Sequence, residues 1–345
     1  MEDSRITREL LLYILNSDPK IDVIGIAVDG KEAIAFAQKE KPDVITMDIN
    51  LPKLNGYDAT RTIMETVPTP IVIVSSSIAS KEVSDTFQAL SAGALMALPK
   101  PTAIDHPEHK ALAEELVNAV KLMSEVKVVR RLSRYHRPQP ALIQRNPEPL
   151  FPRQPRAVAI GASTGGPAVL QKILSSLPAD FPPPIFVVQH MAAGFIQGMA
   201  KWLDDTCALS IQVAANNEMP RAGNVYLAPD GVQFGLAADK RISLGNQAAN
   251  NGYCPSISYL FSSVAEVYND TAVGVLLTGM GDDGAAGLKQ LKERGAVTIA
   301  QDAESSAVFG MPKEAIKLGA AAQVLSPEKI SLLLQGMIIN RLPSE

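Results

Sequence analysis

Two stretches of this chain alternate short apolar runs with helix-patterned segments, and that alternation limits the fold more than any other feature. In the first stretch, apolar runs at 23–28, 44–47, 71–74 and 95–98 bracket helical patterns at 31–39, 57–66 and 81–90. In the second, runs at 157–160, 185–188, 211–213, 225–227, 273–277, 297–300 and near 321–324 alternate with helical patterns after Gly166 and after Gly194. Further helical patterns lie at 257–267, 285–293, 312–318 and 327–337. Short apolar strands separated by helices predict parallel sheets covered on both faces. The expected fold class is therefore α/β, with two doubly wound domains and some antiparallel content around 205–245. Between them, about 125–156, arginine and proline accumulate and apolar periodicity fades, as in an interdomain linker. The expected divisions are 1–123, a linker at 124–155, and 156–345.

The bulk numbers exclude several classes. A length of 345 residues favours about two domains. A net charge of −4 gives no global electrostatic case for nucleic acid binding. Two cysteines fit a reducing compartment rather than a disulfide scaffold. No run reaches the roughly 18 apolar residues of a membrane span, and no apolar segment follows a basic start as in a signal peptide. The expected location is the cytoplasm.

In an open parallel sheet, chemistry gathers at the carboxyl ends of the strands. In the first stretch those ends carry Asp48, Ser75 and Lys100. Glu2 and Asp3 form an acid pair directly before a helix pattern of Ile6, Leu10, Leu11 and Ile14, with only Met1 ahead of them. Acid pairs of this kind usually end a buried strand. The expectation is that the chain starts several residues late, through start-site misassignment or truncation, and that the first strand is missing. Clustered carboxylates suit Mg²⁺. A lysine and a hydroxyl beside them could hold a phosphoryl oxygen, and a carboxylate can act as nucleophile to form an aspartyl phosphate.

These residues, in this order, resemble the response-regulator receiver domain over about 1–122, which implies a flavodoxin-like fold. MDINLPKLNGYD resembles the phosphoacceptor loop, so the resemblance implies Asp48 as the phosphorylated residue. It implies Mg²⁺ held by Glu2, Asp3, Asp48 and the Asn50 carbonyl, Ser75 as the switch hydroxyl and Lys100 as the phosphate contact. It also implies a cis Lys100–Pro101 bond. One departure is Ala97, where receivers usually carry an aromatic residue.

In the second stretch, AVAIGASTGGPAVL runs from strand through a glycine-rich turn into helix. Gly161-Ala162-Ser163-Thr164-Gly165 satisfies the G-x-S-x-G pattern of a nucleophile elbow. Neither phosphate-loop pattern fits there. Of the four histidines, only His190 lies in this stretch, at the end of the run IFVVQ. Asp282 and Asp283 follow another apolar run and are both candidates to orient the imidazole. Cys254 lacks a second histidine as base and reads as structural.

IGASTGGP, QHM-x-x-GF, LLTGMG-x-DG and QDAESSAVFGMP together resemble the catalytic domain of the chemotaxis protein-glutamate methylesterases over about 156–340. A receiver joined to that domain by a linker is the family's architecture. The resemblance implies Ser163 as nucleophile, His190 as general base and acid, and Asp283 rather than Asp282 as the orienting carboxylate. Thr164 and the Met280 N–H are implied near the oxyanion. The implied substrates are glutamyl methyl esters on chemoreceptors, with glutamine deamidation as a companion reaction and no cofactor for the esterase. Control is implied to come from the receiver, which covers the active site until a histidine kinase phosphorylates Asp48. A response regulator whose second domain binds nucleic acid lacks a helix-turn-helix pattern here. A catalytically silent, receptor-binding scaffold that drains phosphoryl groups is the other class. Two departures from the family pattern, Gln233 and Pro255-Ser256-Ile257-Ser258, are expected to lie away from the triad and to shape the site rim.

Overall fold

A computed structural model of the chain describes residues 1–75, 80–126, 128, 153–245 and 252–339. Most of the expected linker, with its basic run and His136, lies outside the described residues. The chain forms two compact units that divide within that stretch.

The first unit runs α1 (Arg5–Leu15), α2 (Gly30–Glu40), β1 (Ile45–Met47), α3 (Gly56–Thr66), β2 (Ile71–Ser75), α4 (Ser80–Ala92), β3 (Met96–Pro99) and α5 (His109–Ser124). The three strands make a parallel sheet in the order β1-β2-β3. Every residue of β2, IVIVS, is buried, as a central strand covered on both faces should be. Helix starts follow local chemistry. Asp29 accepts from the Lys31 and Glu32 N–H groups at α2, and Asn55 accepts from the Asp58 N–H at α3.

Two expectations for this unit are corrected. The run 23–28 is not a strand, and Ile24 and Ile26 are about half exposed. A strand exists only through its partner, and among the described residues the backbone contact made to this run is Glu2 N–H to Ala27 O. Met1 and Glu2 make three backbone contacts: Met1 N to Thr46 O, Asp48 N to Met1 O, and Glu2 N to Ala27 O. A cavity of about 350 Å³ lies between 21–25 and β1 and is lined by Leu15, Phe36 and Val120. The second correction concerns Lys100–Pro101, which is trans; Cys254–Pro255 is the cis bond among the described residues. The trans form is favoured for X–Pro bonds by about 0.5–1 kcal/mol, and in it Lys100 already reaches both Asp48 and Glu2.

The second unit runs β4 (Ala157–Ala162), α6 (Gly166–Leu174), β5 (Ile185–Gln189), α7 (Ile196–Thr206), β6 (Ser210–Val213), β7 (Asn224–Leu227), β8 (Gln233–Leu236), β9 (Ile242–Gly245), α8 (Ile257–Tyr268), β10 (Ala272–Leu276), α9 (Ala285–Glu293), β11 (Val297–Gln301), α10 (Met311–Lys317), β12 (Gln323–Leu325) and α11 (Pro327–Ile339). Seven strands form one parallel sheet in the order β12-β11-β10-β4-β5-β7-β6. The antiparallel content is the separate hairpin β8-β9. Strands β4, β5 and β10 are buried along their whole length. Phe186 and Tyr226 stack 5.9 Å apart in the core beneath α8 and the hairpin. Fully burying each such ring contributes on the order of 1.5–3 kcal/mol.

This strand order sets the position of the site. The chain leaves β4 toward β5 on one side, while β10 lies on the other side of β4. The strand order therefore reverses at β4, which opens a crevice at its carboxyl end.

Candidate active site

Three segments converge on that crevice. Ser163 follows β4, His190 follows β5, and the 277–284 turn follows β10. Adjacent strand ends are tied together by backbone bonds. Ser163 N–H donates to Thr278 O at 3.0 Å, and His190 N–H donates to Ala162 O at 2.9 Å.

The elbow is built from small residues. Gly165 adopts φ +76°, a left-handed turn that favours glycine, and a Cβ there would meet the Ala307 Cβ at 2.5 Å. A Cβ on Gly166 would lie 2.2 Å from Gln189 Oε1. Ser163 is left half-buried.

Gln189 links Ser163 and His190. Its Nε2 donates to Ser163 O and to His190 O, both at 2.8 Å. The third segment is braced from behind: the buried Gln301 accepts from Thr278 N–H at 2.8 Å, and Thr278 Oγ1 donates to Thr164 O at 3.0 Å. The loop before α10 closes over this turn through Gly279 N–H to Val308 O and Met311 N–H to Gly279 O. Met280 at its tip is 45% exposed, and its N–H has no partner among the described residues, as an oxyanion donor requires.

Asp283 is fully buried. Its Oδ1 accepts from Ser256 Oγ (3.0 Å), Ser258 N–H (3.0 Å) and Gly284 N–H (2.9 Å). Its Oδ2 accepts from Ile257 N–H at 2.7 Å and lies 3.1 Å from His190 Nε2. That last contact has ion-pair distance without hydrogen-bond alignment. Burial pushes the Asp283 carboxyl up, but His190 and the N–H groups of Ser258 and Ile257 outweigh it and hold the carboxyl down at about 2. Asp283 is thus an anion at neutral pH. Asp282 is exposed and makes no side-chain contact with His190 among the described residues.

The departures at 255–258 are corrected here. Ser256, Ile257 and Ser258 contact the Asp283 carboxylate directly, because the start of α8 points its N–H groups at it. Gln233, wholly buried, clamps the turn that precedes them. The readable signal was Ser256, a helix N-cap residue ahead of an apolar helix. Tyr253, whose ring stacks on His190, carried no such signal.

The first unit gathers its own set of residues. Carboxylate oxygens of Glu2, Asp3 and Asp48 lie within 4.8 Å of one another. Lys100 Nζ donates to Asp48 Oδ2 at 2.8 Å and lies 2.9 Å from Glu2 Oε2. Burial raises the Glu2 carboxyl above its ordinary value. Burial alone would lower the Lys100 ammonium, but its contacts with Asp48 and Glu2 leave it raised. Three clustered carboxylates, with Glu2 and Asp48 buried and their charge met by Lys100, fit a divalent cation with oxygen ligands. Asn50 N–H donates to Asp48 Oδ1 at 3.2 Å. Ser75 is buried at the end of β2, and its hydroxyl has no hydrogen-bond partner among the described residues, a cost of about 1–3 kcal/mol that an incoming oxygen ligand would remove.

No described helix is long and apolar enough to cross a membrane. Comparison with known proteins matches residues 158–334 to the CheB methylesterase family and residues 1–111 to the response regulator receiver domain. A Nitrosospira multiformis protein named protein-glutamate methylesterase/protein-glutamine glutaminase is 53% identical over 343 residues, spanning 99% of this chain and 96% of that protein. A Syntrophus aciditrophicus protein with the same name, numbered 1, is 50% identical, spanning 97% and 96%. The Thermotoga maritima CheB methylesterase catalytic domain superposes with a TM-score of 0.51 at 39% identity, covering 53% of this chain and 98% of that one. The serine elbow, the histidine and the buried aspartate thus stand in a carboxylic ester hydrolase with a phosphorylation-type receiver ahead of it: the chain belongs to the CheB methylesterase family.

Proposed function

We propose that the chain hydrolyses glutamyl methyl esters on methyl-accepting chemoreceptors in the cytoplasm, with Ser163, His190 and Asp283 as the catalytic triad. One observation carries the reading: a serine elbow, a histidine and a fully buried carboxylate meet at the ends of three adjacent strands. With Nε2 facing Asp283, Nδ1 is the imidazole nitrogen left to take the Ser163 proton. The serine oxygen attacks the ester carbonyl, and the Met280 N–H, with Thr164 in support, meets the developing oxyanion. The tetrahedral intermediate collapses, the imidazolium protonates the departing methoxide, and methanol leaves. Water, deprotonated by His190, attacks the acyl-serine and releases the glutamate. With glutamine in place of the ester, ammonia is the leaving group, which agrees with the paired name of the relatives. These steps need no cofactor.

The receiver controls the rate. Asp48 accepts a phosphoryl group from a histidine kinase, Lys100 contacts its oxygens and Ser75 supplies the switch hydroxyl. Mg²⁺ held by Glu2, Asp3, Asp48 and the Asn50 carbonyl would neutralise charge on that group. Methanol release from methylated receptor membranes tests the esterase reading. The parent chain releases methanol and Ser163→Ala does not; equal rates would remove Ser163 from the mechanism.

A further inference from the structure

Tyr253 lies with its ring centroid 5.1 Å from that of His190, and the two planes differ by 2°. The tyrosine is held there from two sides. Its carbonyl accepts from Gln233 Nε2 at 2.7 Å, and the other end of that buried amide accepts from Ser256 N–H at 2.9 Å. Its hydroxyl reaches the 279–284 turn, where a Cβ on Gly281 would lie 3.0 Å from Tyr253 Oη. Burial, followed by the charges of Asp282 and Asp283, raises the phenol above its ordinary value, so the ring stays neutral.

This placement answers a weakness in the triad. Asp283 approaches His190 at 3.1 Å without hydrogen-bond alignment, so the carboxylate alone leaves the tilt of the imidazole unset. A coplanar neighbour supplies the missing constraint and keeps water from one face. Its π-face also favours the imidazolium that forms when Ser163 gives up its proton.

We propose that Tyr253, clamped by Gln233, is a positioning residue for the ester hydrolysis, its ring fixing the plane of the His190 imidazole. The inference rests on His190 being the proton carrier. It concerns the flat face of the ring and not the phenol hydroxyl.

The test is steady-state methanol release by the full chain carrying Tyr253→Phe, Tyr253→Ala or Tyr253→Leu, with Ser163→Ala in parallel. Tyr253→Phe is expected to stay within about twofold of the parent. The Ala and Leu variants are expected to lose about 10–100-fold in kcat, the scale of a small misplacement of a catalytic group, with KM within about twofold. Tyr253 is only half-buried, so all three variants are expected to fold, which melting midpoints check. Tyr253→Leu keeps most of the bulk, and a parental rate there would show packing alone at work and overturn the proposal. A raised KM with parental kcat would make Tyr253 a substrate contact and overturn it. So would a Tyr253→Phe loss as large as that of Ala. If Ser163→Ala is inactive while Tyr253→Ala is parental, only this inference fails; if Ser163→Ala stays active, the triad reading itself fails.

Discussion

Asp283 Oδ2 stands 3.1 Å from His190 Nε2 while four other groups, Ser256 Oγ and the N–H groups of Ile257, Ser258 and Gly284, donate to the same carboxylate. The aspartate is therefore fixed before substrate arrives, and its charge opposes only the histidine. An amide cannot accept from all of these donors, because its NH₂ end would face an N–H. Asp283→Asn is expected to lower kcat by about 10³–10⁴-fold, the scale seen when a triad carboxylate is replaced, with a smaller change in KM. Steady-state methanol release measures both.

The same carboxylate ties stability to acid. Its folded value of about 2 lies below the ordinary carboxyl value of 3.8. A depressed carboxyl stabilises the fold above the unfolded value and loses that contribution as pH falls through the folded one. Asp283 therefore contributes about 2 kcal/mol above roughly pH 4, lost progressively toward pH 2. The stability gap between the parent and Asp283→Asn in urea should shrink as pH is lowered from 5 to 2.5. A gap that stays constant would mean that the Asp283 charge is not what holds the start of α8.

Ser256 serves two groups at once, capping α8 through the Tyr259 N–H and donating to Asp283 Oδ1. Ser256→Ala should cost about 0.5–2 kcal/mol, as lost N-caps do. Differential scanning calorimetry should show the esterase transition falling by a few degrees, and kcat should fall with it.

How much of this was readable in advance depended on whether a residue's role is local. The runs 157–160, 185–188 and 273–277 are apolar enough to be strands in any sheet, and they are β4, β5 and β10. The run 23–28 is as apolar, yet strand formation belongs to a pair, and a cavity rather than a paired strand lies between it and β1. Ser163 and His190 announce themselves through a turn motif and through histidine scarcity. The contacts of Ser256 and Ser258 with Asp283 span 27 and 25 residues, so no local pattern carries them. Tyr253 is the extreme case, because only folding brings its ring against His190.

In the receiver unit, Lys100 bridges Asp48 and Glu2. Incubation with a small phosphodonor and Mg²⁺ should add one acid-stable, base-labile phosphoryl group and raise the esterase rate. Asp48→Asn should show neither change while keeping basal methanol release. Lys100→Ala should still take up phosphate but lose most of the rate increase. Phosphate uptake read by intact mass, beside methanol release, separates these outcomes.

The most direct test of the central claim is to treat the full chain with a fluorophosphonate and map the adduct by peptide mass spectrometry. Ser163 should carry the phosphonyl group in proportion to lost methanol release, and His190→Gln should slow its formation by several orders of magnitude. An adduct on Cys254 or another residue that tracks the loss of activity, or full labelling of Ser163 with activity retained, would contradict the assignment.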